Sequence, residues 1–238
     1  MKVKNIPKNI ITIDGPAGSG KSTVAKILAK ELNYKYIDTG AMYRALTLLA
    51  VQNNIDYNNQ KSILDIARNT DLELDNSSVN EKEYTKVKMD GKDVTNEIRS
   101  REVGSAVSIV SKLSGIRKYL VKVQRELTRD GDAVLEGRDT GSVVCPEAIL
   151  KIYLTANLEE RIKRRDLQNK EKGQFQERII TRDEIITRDK IDSSREDSPL
   201  IVPENGIVID TSDLSVIEVV EKIKKLYFEK INDKNKTQ

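Results

Sequence analysis

Histidine is missing from this chain, which removes imidazole acid–base catalysis and imidazole metal ligation. Cysteine occurs once, at Cys145. That excludes an internal disulfide and a cysteine zinc cluster, and the residue reads as a small buried hydrophobe. Tryptophan is absent and phenylalanine occurs twice, too few rings for a stacking platform on single-stranded nucleic acid. No charge sign dominates either: 41 basic residues against 38 acidic ones leave +3, which argues against nucleic acid or a membrane surface as the main partner. Long apolar runs are lacking as well. The basic start MKVKNIPKN is followed by an apolar stretch too short for a signal peptide or a membrane span. A soluble, cytoplasmic and monomeric protein is the expectation. Its length suits one α/β core carrying an insertion, able to bury roughly 70–75% of its unfolded surface.

What the chain does have is IITIDGPAGSGKSTVAKILAKEL near its start. Ile10 to Asp14 is short, β-branched and apolar, as a buried strand should be, and Ser22 to Leu32 has apolar residues at helical spacing. Between them the spacing G-x-x-x-x-G-K-S runs from Gly15 to Ser22. Glycines at 15, 18 and 20 let backbone N–H groups turn inward, and those amides with the positive end of the next helix cradle a di- or triphosphate. The whole run Gly15, Pro16, Ala17, Gly18, Ser19, Gly20, Lys21, Ser22, Thr23 is therefore a candidate ATP site. On this solvent-facing loop Lys21 reaches the β- and γ-phosphates, and the Ser22 hydroxyl holds Mg²⁺, partly through water.

Strand and helix patterns then alternate in the βαβ manner. Strands are expected at 10–13, 35–37, 133–135, 150–154 and 207–209, and helices at 22–32, 41–53, 114–128, 158–172, 176–192 and 214–230. Right-handed crossovers give an α/β three-layer fold with a mostly parallel sheet of about five strands, whose ligands bind at the carboxyl ends of the strands. Residues 71–100 break the rhythm. Alternation over Tyr84–Met89 and the Asp90–Gly91 pair predict a small antiparallel hairpin in an inserted subdomain. The polar end NDKNKTQ is expected to fray.

Four further stretches carry candidate chemistry. YIDTGAMYRAL follows the second strand, with Thr39 as a helix cap and with Tyr43 and Arg44 facing the crevice. Arg44 suits a phosphate in fork geometry. AVLEGRDTGSVV ends the third strand and places Arg138 and Asp139 just beyond it. LEERIKRRDLQNKEKG is a helix in which Arg161 and Arg165 share a face, fit for a basic lid over ATP phosphates or for a plain solvated surface. In the next helix Arg188, Asp192 and Arg195 project together, although a surface ion pair explains Arg188–Asp192 as cheaply.

In order, GPAGSGKST, DTGAMYRA, EGRDTGSVV, the EERxxRR lid and the RDxxDSSR stretch resemble bacterial cytidylate kinases, of the nucleoside monophosphate kinase group, over roughly residues 8–230. The resemblance implies a P-loop core at about 8–70 and 101–230, a nucleoside-monophosphate-binding insert near 71–100 and a closing lid near 157–175. It implies ATP-dependent phosphorylation of CMP and dCMP. Thr39 would face the cytosine, Asp139 would accept from its amine, and Arg117 would donate to its keto oxygen and ring nitrogen. Arg44, Arg138 and Arg195 would hold the CMP phosphate. Ser108, Arg188 and Asp192 would contact the pentose.

Chemistry agrees with that assignment. Cytosine offers one amine beside two acceptors, which a carboxylate and an arginine match, whereas uracil would turn a keto oxygen toward Asp139. The attacking phosphate oxygen is already ionised near neutral pH, since the second pKa of a monoester is about 6, so no general base is needed. Lys21, Mg²⁺ and the arginines neutralise charge and align the groups. No strong Walker-B acidic motif is visible. Other small-molecule P-loop kinases would need a base for a neutral hydroxyl acceptor. A P-loop switch protein would carry N-K-x-D and D-x-x-G motifs, which are missing.

Overall fold

The structure is a computed structural model that describes residues 9–75, 85–171, 173 and 176–236. Strand β1 (Ile10–Asp14) is buried along its whole length, so it can only be central. It pairs in parallel with β6 (Ala133–Gly137) on one side and β7 (Leu150–Thr155) on the other. Adding β2 (Lys35–Asp38) outside β6 and β8 (Ile207–Asp210) outside β7 gives the order β2-β6-β1-β7-β8, all parallel. The five expected strands are these five: β2, β7 and β8 each run one residue further at the carboxyl end and β6 two, while Asp14 of β1 was already read as strand.

Alternation in β1 splits the core. Ile11 and Ile13 pack with Val24, Ala25 and Leu28 of α1 (Lys21–Leu32) and with Val219, Val220 and Ile223 of α8 (Val216–Lys236). Ile10 faces the other way, beside Ile37, Leu135, Val144 and Cys145, where the lone cysteine is buried as expected. A second apolar body joins α2 (Thr39–Gln52) to α3 (Gln60–Ala67), α4 (Arg101–Val110) and α5 (Ser114–Leu127). Helices α3 and α4 were not foreseen. Both announce themselves locally, since Asn59 and Ser100 cap them through their side chains and Val103, Ala106, Val107 and Val110 of α4 keep helical spacing.

The 71–100 segment carries β3 (Leu72–Asp75), β4 (Lys86–Met89) and β5 (Lys92–Asp93), antiparallel throughout. The expected turn at Asp90–Gly91 is present, with both residues at positive φ. Val87, Met89 and Val94 join the α2–α5 core, so the small sheet is packed onto the main body. Residues 76–84, including Tyr84 and the NSSVNEK stretch, lie outside the described residues. Helices α6 (Leu158–Glu171) and α7 (Arg178–Ser193) complete the list. Helix α8 continues to Lys236, which corrects the expectation of a frayed end from residue 232.

Candidate active site

The loop after β1 is built from the inside. Gly15 has φ 146° and its missing Cβ leaves room for the Leu154 carbonyl of β7. Ser19, wholly buried, donates to the Pro16 carbonyl at 3.1 Å, and the Lys21 ammonium donates to the same oxygen at 2.7 Å. Lys21 is only 6% exposed, which corrects the picture of a solvent-facing loop lysine. Burial, and then the charge of Arg138, pull its pKa down to about 7.

Asp14 closes β1 and organises the turn opposite. Its carboxylate accepts from the Thr140 N–H (2.9 Å), the Thr140 hydroxyl (2.8 Å) and the Gly141 N–H (2.8 Å). The segment after β6 is thereby pinned beside the loop as a short π-helical turn, Thr140–Val144, and Arg138 and Asp139 are presented at the strand ends. Glu136, the penultimate residue of β6, is buried. Its carboxylate accepts from the Ser22 hydroxyl at 2.8 Å and from the Tyr36 hydroxyl at 2.7 Å. Burial, and then the nearby Asp38, raise its pKa.

Asp139 accepts from Arg117 Nη2 at 2.6 Å, both side chains nearly enclosed. Although burial opposes it, Asp139 holds the Arg117 guanidinium above its ordinary pKa. Arg117 lies over the Tyr43 ring, 5.1 Å from its centre. The Tyr43 hydroxyl is buried and has no hydrogen-bond partner. Thr39 is buried and donates to the Glu136 carbonyl at 2.7 Å. It opens α2 but does not cap it: Asp38 does, accepting from the Ala41 N–H at 2.9 Å.

Asp192 is 1% exposed and is not part of a surface ion pair. Arg138 Nε donates to it at 2.8 Å, Arg195 pairs with its other oxygen, and Arg188 stands at 3.9 Å. Arg195 also donates to the Ser111 hydroxyl at 3.0 Å. Ser108, the residue expected at the pentose, is half-buried one turn earlier in α4, and its backbone carbonyl accepts from Ser111.

One carboxylate does not neutralise this neighbourhood. Burial, followed by Arg138 and Arg44, lowers Arg188 to about 9; burial, followed by Arg165, lowers Arg44 to about 10. A guanidinium keeps its proton at neutral pH, so the repulsion persists in the free protein and a bound anion would relieve it. Lys21, Arg44, Arg138, Arg165 and Arg188 thus lie within electrostatic reach of one another as a group of cations. Saturating inorganic pyrophosphate should therefore raise the melting temperature by roughly 5–10 °C, the scale for a ligand at a hundred times its Kd on a chain of this size. Scanning calorimetry with and without the anion checks this, and no rise would show that the cluster has no anion affinity.

A family model for cytidylate kinase matches residues 11–229. The chain belongs to the cytidylate kinase family. The cytidylate kinase of Caldanaerobacter subterraneus subsp. tengcongensis is 47% identical over 213 residues, 90% of this chain and 92% of the relative. The cytidylate kinase of Geobacillus sp. is 46% identical over 93% of this chain and 97% of its own length. That of Bacillus subtilis is 46% identical over 90% and 93%. Cytidylate kinases are enzymes, phosphotransferases, and the buried polar groups just described lie at the carboxyl ends of strands in a P-loop α/β fold of that kind.

Against the expected site of a cytidylate kinase, Arg117, Arg138, Asp139, Arg188, Asp192 and Arg195 come together in one connected network. Arg44 and Arg165 face it electrostatically. Sequence reasoning missed Asp14, Glu136, Ser111, Arg164 and Asp189. Arg164 binds Thr211 through both the hydroxyl (2.9 Å) and the carbonyl (2.7 Å), while Thr211 itself donates to Ser19 of the loop at 3.2 Å. Only Asp14 and Glu136 left a local signal: each is an acidic residue at or next to the carboxyl end of a fully buried strand.

Proposed function

We propose that this chain transfers the terminal phosphoryl group of ATP to the phosphate of CMP or dCMP, giving ADP and the diphosphate. The observation that carries the reading is the buried Asp139–Arg117 pair adjoining an arginine cluster opposite the phosphate-binding loop. The pair offers cytosine an acceptor for its amine and donors for its keto oxygen and ring nitrogen. Arg44, Arg138 and Arg195 take the CMP phosphate, Arg188 and Asp192 stand toward the pentose, and Thr39 and Tyr43 support the base side. The loop Gly15–Thr23 takes the ATP phosphates, with Arg161 and Arg165 on α6 above them. The 71–100 sheet serves as the acceptor-side insert, and residues from 157 onward as the lid.

Mg²⁺ suits this site. A hydroxyl and a buried carboxylate, Ser22 and Glu136, are joined at 2.8 Å beside Lys21, a hard oxygen set. No cluster of three acidic, histidine or cysteine ligands exists among the described residues, as fits an ion whose other ligands are phosphate oxygens and water. When bound, it would offset negative charge on the transferring phosphates. The protein's own part is alignment and electrostatics: the acceptor oxygen is already ionised, so the arginines hold it in line while Lys21 and the loop amides hold the donor.

The test is ADP release from ATP–Mg²⁺ against a panel of nucleoside monophosphates, with CMP and dCMP expected to exceed UMP in kcat/KM by at least about 10-fold. Asp139→Asn replaces a pure acceptor with a group that also donates. The CMP-to-UMP ratio should then fall by roughly 10-fold, about one good hydrogen bond. An unchanged ratio would mean that Asp139 does not read the base. No helix among the described residues is long and apolar enough to cross a membrane.

A further inference from the structure

Helix α7 meets both halves of the site. Arg188 and Asp192, one turn apart, belong to the acceptor-side arginine cluster. Asp189 lies about 100° around the helix from Arg188 and about 60° from Asp192, on the neighbouring edge of the same arc. From there its carboxylate goes to the donor side. One oxygen accepts from the Ala17 N–H of the phosphate-binding loop at 3.2 Å, and the other pairs with Arg161 of α6. Arg161 completes a triangle by donating to the Ala17 carbonyl at 3.2 Å. A Cβ on Gly18, at φ 76°, would stand 2.9 Å from the Arg161 carbonyl, so α6 already touches the loop at this point. Arg161 still has a buried Nε–H with no partner, a donor that a phosphate oxygen can satisfy.

We propose that Asp189 is a positioning residue for phosphoryl transfer. It clasps Arg161 and the tip of the loop to α7, so that the helix carrying Arg188 and Asp192 is held in register with the donor phosphates. The proposal rests on the reaction assigned above. It does not need Asp189 to touch either nucleotide. It acts by fixing an arginine whose displacement of about 1 Å would cost on the order of 10²-fold in rate. Arg161 therefore does not have to be brought in from solvent when the substrates bind.

Asp189→Asn keeps the acceptor toward Ala17 but turns an amide toward the Arg161 donors, breaking the pair at constant volume. Steady-state kinetics of the wild type, Asp189→Asn, Arg161→Ala and the double variant form a cycle. In both single variants kcat should fall roughly 10–100-fold, with the KM values for ATP and CMP within about 3-fold, because the contact matters in the aligned state. In the Arg161→Ala background, adding Asp189→Asn should cost less than about 2-fold more. An equal kcat loss in both backgrounds, a loss carried by KM alone, or full activity of Asp189→Asn overturns the proposal. Circular dichroism melts exclude variants that fail to fold, and Asp189→Ala then takes the same place in the cycle. If the wild type prefers another monophosphate to CMP, the substrate assignment fails, while the same cycle run on that acceptor still decides the role of Asp189.

Discussion

Replacing Lys21 with methionine is expected to lower kcat by roughly 10²–10³-fold, the scale of a lost preorganised donor to developing charge, while leaving thermal stability intact or raised. The two halves of this expectation share a cause. Lys21 is enclosed by the loop, and burial together with Arg138 lowers its pKa to about 7. A lysine whose folded pKa lies below its unfolded value of 10.5 destabilises the fold as it is charged: the cost appears as pH falls below the unfolded value and is complete below the folded one. Methionine removes that cost and keeps most of the volume, although the Pro16 carbonyl loses its donor. Polyphosphate reverses the balance, since its charge offsets the repulsion from Arg138. Turnover of the Lys21→Met variant within a few-fold of wild type would remove the phosphate-binding-loop mechanism. A large drop in melting temperature would instead make Lys21 a structural residue.

Asp192→Ala is expected to have the largest effect on stability, on the order of 3 kcal/mol, the low end for stripping the partner from a buried charge because Arg138 and Arg188 retain some solvent. For a chain of this length that is a fall in melting temperature of roughly 10 °C. Although burial opposes it, Arg138, Arg195 and Arg188 together hold the Asp192 carboxyl below the ordinary aspartate range. The sign of the pH dependence follows. A carboxyl with a depressed folded pKa stabilises above its unfolded value, near 3.9, and loses that contribution as pH falls through the folded one. The gap between variant and wild type should therefore be full at pH 7 and narrow only in strong acid. KM for CMP should rise as well, because Arg138 and Arg195 lose the group that aims them. Melting curves from pH 7 downward decide the matter. A variant as stable as wild type would return Asp192 to a solvated ion pair, worth about 0.3–0.5 kcal/mol.

Most of the architecture was legible because the parallel strands leave short β-rich, largely apolar segments: β1 is buried along its whole length, and β7 alternates buried Leu150, Ile152 and Leu154 with half-buried Lys151, Tyr153 and Thr155. The small sheet was half legible: the Asp90–Gly91 turn is a local signal, but β3 is recognisable only from its pairing with β4. Helix α4 was missed although Val103, Ala106, Val107 and Val110 spell it out, because it is only ten residues long and its charged start, Arg101 and Glu102, continues the polar stretch before it.

For the site the division is sharper. Sequence by itself determined the phosphate-binding loop, where glycine spacing and Lys21 sit within one short run, and it singled out the arginines that the structure brings near one another. It could not determine which carboxylate answers which cation. Ser22 and Glu136 are 114 residues apart, Ala17 and Asp189 are 172, and Arg138 and Asp192 are 54. Their meeting depends on β6 inserting beside β1 and on α7 lying across the ends of both strands' loops. Periodicity reports only what neighbours along one element share. Tertiary structure therefore decided that Asp192 is a buried counter-ion to three arginines, that Lys21 is enclosed, and that Asp189 joins the loop to Arg161, because burial and Coulomb forces act through space between elements that the chain order keeps apart.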